Sequence, residues 1–326
     1  MTIRVADLEP SPDAFAAIMA TGILSIAAGK HHYLAISEAL GIIAAIGLLV
    51  LVGLAFLTGA AKRWELKDPD VTLRLFTFVA ACAVLDSKLT SPLVVVLLLG
   101  AVALVAWLAL VTLTARAMST RPWGVLRDGA HGAWELASVG TSGLAIVATK
   151  IGQHTGERWW LGLAVPVWAA ALCIYLLMTW LILWRAVAER QDLDGFEPDS
   201  WILMGGLAIA TLAGDNIHSL APAWLSGPVR TVTIVTWVAA TLWIPPLIYF
   251  GVHRISRRPE MLHFAGVWWA MVFPLGMYSA ASYAMSAEIG QRSLVTVSLV
   301  FFWNALAAWL IVAIAGLMRV AARVVS

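Results

Sequence analysis

The amino-acid sequence predicts an all-α membrane protein with ten transmembrane helices, arranged as five helical hairpins around a central pore. The observations behind this class are the composition, the spacing of the apolar runs and a repeat among them. Of the 326 residues, 61% are hydrophobic and only 12% are charged, and the mean hydropathy is +0.87. Soluble domains carry about 25% charged residues. The polar gaps between apolar runs are short, so we expect residues 1–326 to form a single transmembrane domain.

Ten apolar runs approach or exceed the roughly 20 residues that a spanning helix needs. They occupy residues 12–29, 35–59, 70–86, 91–115, 131–150, 159–186, 200–219, 229–252, 262–286 and 293–318. The third run is the shortest. We expect no signal peptide, because the N-terminal residues carry acidic side chains and no cleavage site follows the first run.

Positive charges in the loops predict the orientation. Fourteen Lys and Arg residues lie at the two termini and in the loops after even-numbered runs, against six on the opposite side. We therefore expect both termini in the cytoplasm, in a multi-pass protein that contacts the lipid of a bacterial inner membrane.

The odd-numbered runs repeat. They begin near residues 12, 70, 131, 200 and 262, so each step is about one helical hairpin. Parallel repeats of this kind are related by an axis along the membrane normal. The odd runs are rich in small residues, which allow close helix packing, whereas the even runs are bulkier. We expect the odd helices inside and the even helices outside.

The ninth run contains a Phe-Pro pair that is the main candidate for a gate. Pro274 lies near its middle and cannot donate a backbone hydrogen bond, Phe273 precedes it, and Gly276 follows. A bulky ring beside a kink at Pro274 and Gly276 suits the gate of a narrow pore. The alternative is a plain proline kink with a packed phenylalanine.

Ionisable groups inside a membrane are costly and therefore informative. Arg74 and Glu135 have matching depths in the third and fifth runs, so we expect a charge pair near the inner mouth. Its role is structural, or Arg74 attracts anions. At the other end, four polar residues form an outer vestibule or simply cap helices: Asp86, Lys88, Asp215 and Asn216.

Hydroxyl groups on the odd runs are the candidates for lining the pore, because the centres of these runs hold no positive charge that would grip a dianion. The candidates are Thr21, Thr77, Thr141, Ser142, Thr211 and Ser279. Such side chains also commonly bond their own helix backbone.

Other functions have little support in the sequence. The seven histidines lie at run ends or in loops, and we expect no metal and no cofactor. Catalytic and nucleotide-binding motifs are missing, so we expect no enzyme. The net charge of +2 gives no reason to expect a nucleic acid partner.

Four motifs resemble the tellurite-resistance/dicarboxylate transporter family, which includes fungal malate permeases and plant slow anion channels. They are FAAIMATG from Phe15, VGTSGLA from Val139, MGGLAIATLAG from Met204 and VFPLGMY from Val272. The resemblance implies ten helices, a homotrimer with one pore in each protomer, and a phenylalanine of the ninth helix that occludes the pore. Phe273 matches that position, and Phe15 matches a pore phenylalanine of the first helix.

We therefore expect transport of an anionic substrate, either a small monovalent anion or an organic acid, through a pore gated by Phe273 and Phe15. A proton-coupled carrier of C4-dicarboxylates such as malate, or of sulfite, is the alternative within the family. A membrane redox or enzymatic subunit is a more distant alternative.

Overall fold

The computed structural model of the protein describes residues 10–89, 93–188, 197–257 and 266–325, and in these ranges the chain forms helices and no β-strand. The α-helices of these ranges are α1 (Phe15–Lys30), α2 (Leu34–Leu57), α3 (Ala60–Arg63), α4 (Pro69–Arg74), α5 (Phe76–Lys88), α6 (Leu93–Ser119), α7 (Trp123–Gly129), α8 (Leu136–Thr155), α9 (Leu161–Ala188), α10 (Ile202–Leu220), α11 (Ala223–Arg257), α12 (Trp269–Ile289) and α13 (Ser293–Val325). Short 3-10 helices precede four of them, at Gly132–Glu135, Arg158–Trp160, Pro198–Trp201 and Gly266–Trp268.

Six helices of the described ranges are long and apolar enough to cross a membrane: α2, α6, α9, α10, α11 and α13. This identifies an α-helical, multi-pass integral membrane protein. The other predicted runs contain α1, α5, α8 and α12, which are shorter or less apolar. They are surrounded by protein, so their surfaces do not need the hydropathy that contact with lipid requires.

Five helices form a closed ring. α1 packs against α5, α5 against α8, α8 against α10, α10 against α12, and α12 against α1. We call this set the five-helix ring. Each member also packs against the long helix that follows it, and we call α2, α6, α9, α11 and α13 the outer helices.

Burial separates the two sets. In the most apolar stretch of α10, 83% of the residues are buried, against 22% in α2, α6 and α11. Large apolar side chains of the outer helices are exposed, including Leu49 at 74%, Phe56 at 79% and Leu317 at 70%. Exposed apolar surface on this scale suits contact with lipid rather than water.

The third predicted run is two helices. Residues 70–86 were expected to form one span, but α4 ends at Arg74 and α5 begins at Phe76. Pro69 lies at the start of α4, where its missing N–H costs little, and Asp68 caps it by accepting from the backbone N–H of Asp70 at 3.3 Å. The Thr77 hydroxyl then donates to the carbonyl of Arg74 at 2.8 Å, so side chain and backbone compete for that carbonyl at the break.

Close contact within the ring depends on glycine where α10 meets α12. A β-carbon at Gly205 would lie 2.9 Å from Cγ of Pro274 and 3.2 Å from its Cα. No larger residue fits without moving a helix. α12 runs through Pro274 without interruption, so the proline ring serves as a contact surface for α10.

Candidate functional site

The contacts of α12 fix the directions of its side chains. Pro274 faces α10, Gly276 faces α1, and Ser279 bonds the outer helix α13. Successive helical residues are about 100° apart, so the sector between α1 and α10, away from the outer helices, holds Phe273 and Met277. Phe273 is 0% exposed. Its side chain is therefore directed toward the interior of the five-helix ring.

Phe15 has a different environment. It packs edge-on against Phe78 of α5, with ring centroids 5.0 Å apart. Both rings line an apolar cavity of about 290 Å³ together with residues of α2 and α6, among them Val52 and Leu110. Because α2 and α6 are outer helices, the Phe15 ring is directed away from the ring interior. This position gives no support to Phe15 as a partner of Phe273 in a gate.

Two of the expected pore hydroxyls accept hydrogen bonds from tryptophans of outer helices. The indole N–H of Trp309 on α13 donates to Thr21 Oγ1 at 2.8 Å. The indole N–H of Trp107 on α6 donates to Thr141 Oγ1 at 2.9 Å. Both threonines also donate to their own helix backbone. They point outward from the ring, and their hydroxyls join it to the outer layer.

Two more hydroxyls also point outward. Thr211 Oγ1 lies 3.0 Å from Thr236 Oγ1 of α11. Ser279 donates to the carbonyl of Ser298 on α13 at 2.7 Å, and Ser298 donates back to the carbonyl of Ser279. The sequence shows that a hydroxyl is present but not which neighbour its helix face meets, and these two hydroxyls meet outer helices.

Ser142 remains a candidate. Its hydroxyl is fully buried on α8 and has no hydrogen-bond partner among the described residues. The same holds for the hydroxyl of Ser138, one turn earlier. A buried hydroxyl without a partner is costly, so both positions suit a group that water or a passing solute satisfies. Thr77, the last of the expected hydroxyls, bonds the Arg74 carbonyl at the helix break.

Removing the Ser142 hydroxyl, which has no partner in the described ranges, should affect anion selectivity more than removing the hydrogen-bonded hydroxyl of Thr211. We expect Ser142→Ala to change the ratio of nitrate to chloride flux by about threefold or more, the size of one hydrogen bond. Thr211→Val, which removes an outward-facing hydroxyl, should leave that ratio within about twofold. Flux ratios from reconstituted vesicles measure both, and equal changes in the two variants would contradict the assignment.

Arg74 and Glu135 do not form the expected pair in the described part of the chain. Arg74 bonds Asp70, one turn earlier in α4, at 2.9 Å, and lies 3.8 Å from Asp13. Glu135 is fully buried in the 3-10 turn before α8 and accepts from the Thr179 hydroxyl at 2.7 Å. Equal depth did not bring the two together, because Arg74 has an acidic neighbour on its own helix.

The end of the ring where its helices begin carries a charge network instead. His131 lies between α7 and the 3-10 turn, with Nε2 2.5 Å from Asp70 and Nδ1 2.5 Å from Asp199. A neutral imidazole has one N–H, so bonds to two carboxylates favour the charged ring. Burial alone would lower the pKa of His131, but the bonds to Asp199 and Asp70 raise it to about 9.

The network joins the beginnings of four ring segments. Asp13 precedes α1, Asp70 and Arg74 belong to α4, His131 precedes α8, and Asp199 precedes α10. A cavity of about 500 Å³ lies beside it, lined by charged residues of the network and by apolar residues of α9 and α11. Because α9 and α11 are outer helices, this cavity is lateral and does not follow the ring axis.

At the opposite end of the ring, three of the four polar residues that were expected to cap helices or to form a vestibule have different surroundings. Lys88 turns toward α2 and donates to Ser37 at 2.6 Å and to Glu38 at 3.3 Å. Asn216 donates to its own helix at the Leu212 carbonyl. Asp86 is buried, and neither carboxyl oxygen has a hydrogen-bond partner among the described residues.

Metal coordination has no candidate among the residues that the structure describes, since they contain no group of three His, Cys, Asp or Glu side chains able to hold an ion. The sequence analysis did not single out His131, Asp199 or Ser138. One signal was available for His131, because it is the first residue of the fifth, odd-numbered run.

These observations define a class, that of helical membrane proteins with a tightly packed inner ring and a lipid-type outer surface. Residues 10–317 match the family model described as voltage-dependent anion channel (SLAC1). The chain belongs to this family, which confirms the resemblance to the tellurite-resistance/dicarboxylate transporters. Membrane transport of anions or related solutes is the general function that follows.

Comparisons with individual proteins agree with membrane transport at this general level. An uncharacterized membrane protein of Mycobacterium tuberculosis H37Rv is 33% identical over 39% of this chain and 66% of its own length. Two uncharacterized transporters of Methanocaldococcus jannaschii are 24% and 25% identical, over 56% and 48% of this chain and 54% and 46% of their own lengths. The matches thus span about half to two thirds of these relatives.

Proposed function

We propose that the protein conducts small monovalent anions along the axis of the five-helix ring, and that Phe273 closes the path. The observation that carries the proposal is the direction of Phe273, a completely buried ring on the α12 sector between α1 and α10. A large apolar ring on the axis excludes hydrated ions until it moves, and hydrophobic constrictions gate by this means.

The proposal includes the arrangement in the membrane. Ten segments cross a bacterial inner membrane as five hairpins, with both termini in the cytoplasm, and three copies form a homotrimer. The loop charge bias, the exposed apolar outer helices and the family membership support this arrangement. The charge network of His131 then lies at the cytoplasmic mouth.

Anion flux in proteoliposomes tests the function. Purified protein is reconstituted, and nitrate, chloride, sulfite and malate are offered in turn under an imposed membrane potential. We expect fast, weakly saturating flux of nitrate and chloride. Saturable flux restricted to malate or sulfite, or none above protein-free vesicles, would contradict the channel.

A proton-coupled carrier of dicarboxylates or sulfite is the second candidate, and Glu135 favours it. One oxygen of this fully buried carboxyl accepts from Thr179 and the other has no hydrogen-bond partner among the described residues. A buried acid that has no ion-pair partner among the described residues suits a group that takes up and releases a proton. Acidification of the vesicle interior during malate uptake would select the carrier.

A further inference from the structure

Two lysines at the end of the ring opposite the His131 network have no ion-pair partner among the residues that the structure describes. Lys30 ends α1, and Lys150 lies near the end of α8. Neither ammonium group lies within 4 Å of a carboxylate in the described ranges, although both side chains are partly buried. The ammonium group of Lys30 lies over the ring of Tyr283, 5.3 Å from its centroid.

Both lysines point toward the ring axis. Lys30 follows Thr21 by nine residues, and Lys150 follows Thr141 by nine. Nine residues are about two and a half turns, so each lysine lies on the face of its helix opposite the threonine. The two threonines bond tryptophans of outer helices. The faces opposite them are therefore the inner faces of the ring.

The two ammonium groups influence each other electrostatically across the ring. α1 and α8 are not neighbours in it, because α5 lies between them. Even so, Lys30 is within electrostatic range of Lys150 and of Asp215 on α10. Side chains from ring members that are not neighbours approach one another only near the axis. Two like charges held there repel each other unless an anion lies between them.

The two segments also correspond in sequence. Residues 21–30 read TGILSIAAGK and residues 141–150 read TSGLAIVATK, with identical residues at the first, fourth, sixth, eighth and tenth positions. The first and tenth positions are the threonine that bonds the outer tryptophan and the lysine at the ring end. The same local design thus places one ammonium group on each side of the axis.

We propose that Lys30 and Lys150 together form an anion-binding site on the axis of the ring, at the end opposite the His131 network. The ligand class is a small monovalent anion, because Asp215 lies within electrostatic range of both ammonium groups and Asp86 within range of Lys150, which leaves too little positive charge to hold a dianion. The site collects anions before they reach Phe273. This inference rests on the proposed function, since it names the entry site of the same path.

The test compares charge-removing variants with a matched control. Lys88 lies at the same end of the ring but already pairs with Glu38, so Lys88→Gln is the control. We expect Lys30→Gln/Lys150→Gln to raise the half-saturating nitrate concentration at least about tenfold, the effect of losing a hydrogen bond to a charged group. Lys88→Gln should stay within about twofold. Equal values for all three proteins would overturn the site.

Protection of an introduced cysteine from chemical modification measures anion binding independently of transport. The exposed Cys173 is first replaced by alanine, whereas Cys82 is buried. In Lys150→Cys, nitrate should slow modification by a negatively charged thiosulfonate, and adding Lys30→Gln should abolish the protection. An aminoethyl reagent, which restores the positive charge, should lower the half-saturating concentration again. Flux without protection or rescue overturns the inference, whereas protection without flux in the unmodified protein supports the site and overturns the channel.

Discussion

Phe273→Ala is expected to raise nitrate and chloride flux at least about tenfold, which corresponds to removing roughly 1.4 kcal/mol from the barrier. The physical reason is steric, since the completely buried ring occupies the sector of α12 that faces the ring interior. Removing the ring should leave a cavity on the axis that water and ions can enter. Flux in proteoliposomes, normalised to the amount of inserted protein, measures the effect.

Stability must be measured beside flux for this variant. Truncating a buried phenylalanine to alanine costs about 3–5 kcal/mol. Phe273→Leu keeps more of the apolar volume and gives a second variant with an intermediate opening, so we expect an intermediate flux. Met277→Ala shortens a side chain of the same sector and tests whether any enlargement suffices. A folded Phe273→Ala protein with the flux of the wild type would show that Phe273 is not the gate.

His131→Ala is expected to destabilise the protein by about 3–5 kcal/mol, because it leaves two carboxylates without their shared cation. Asp199 is only 3% exposed, and one of its oxygens already has no partner in the described ranges. The apparent Tm in detergent measures the loss. Arg127→Ala is the control, since Arg127 pairs with the exposed Asp128 and such pairs contribute about 0–1 kcal/mol.

The same network predicts the dependence of stability on pH. The pKa of His131 is raised to about 9 in the folded protein, from about 6.5 in an unfolded chain. The stabilisation is therefore complete below about pH 6.5 and is lost as the pH rises through about 9. The apparent Tm of the wild type should fall across this interval, and that of His131→Gln should fall less. Parallel curves would exclude His131 as the titrating group.

The sequence predicted those features of the fold that depend on a single helix, such as its position and length. Long apolar runs predicted the ends of α2, α6 and α9 within four residues and those of α11 and α13 within seven, because hydropathy reports directly on contact with lipid. The role of Phe273 as a gate stays a prediction. The break at Leu75 was missed, since hydropathy does not register the competition between the Thr77 hydroxyl and a backbone carbonyl.

Pairings between helices could not be predicted in this way. Arg74 and Glu135 were matched by depth, but Asp70 lies on the same helix as Arg74 and binds it first. The sequence predicts that three threonines face a pore, but each bonds a side chain of an outer helix. The pairs are Thr21 with Trp309, Thr141 with Trp107 and Thr211 with Thr236. Such partners become visible only when the azimuth of every helix is known.

The bonds from tryptophan to threonine have a mechanical consequence. Each is a directional link inside an apolar layer, where water does not compete for the donor, and each contributes about 1 kcal/mol. The hydrogen bonds from Trp309 and Trp107 therefore resist rotation of α1 and α8 about their own axes. If the ring conducts as proposed, resistance to rotation leaves two ways of opening it, the movement of a side chain or the tilting of whole hairpins. The proposed path would then respond to the thickness and tension of the bilayer through the outer helices that carry Trp309 and Trp107.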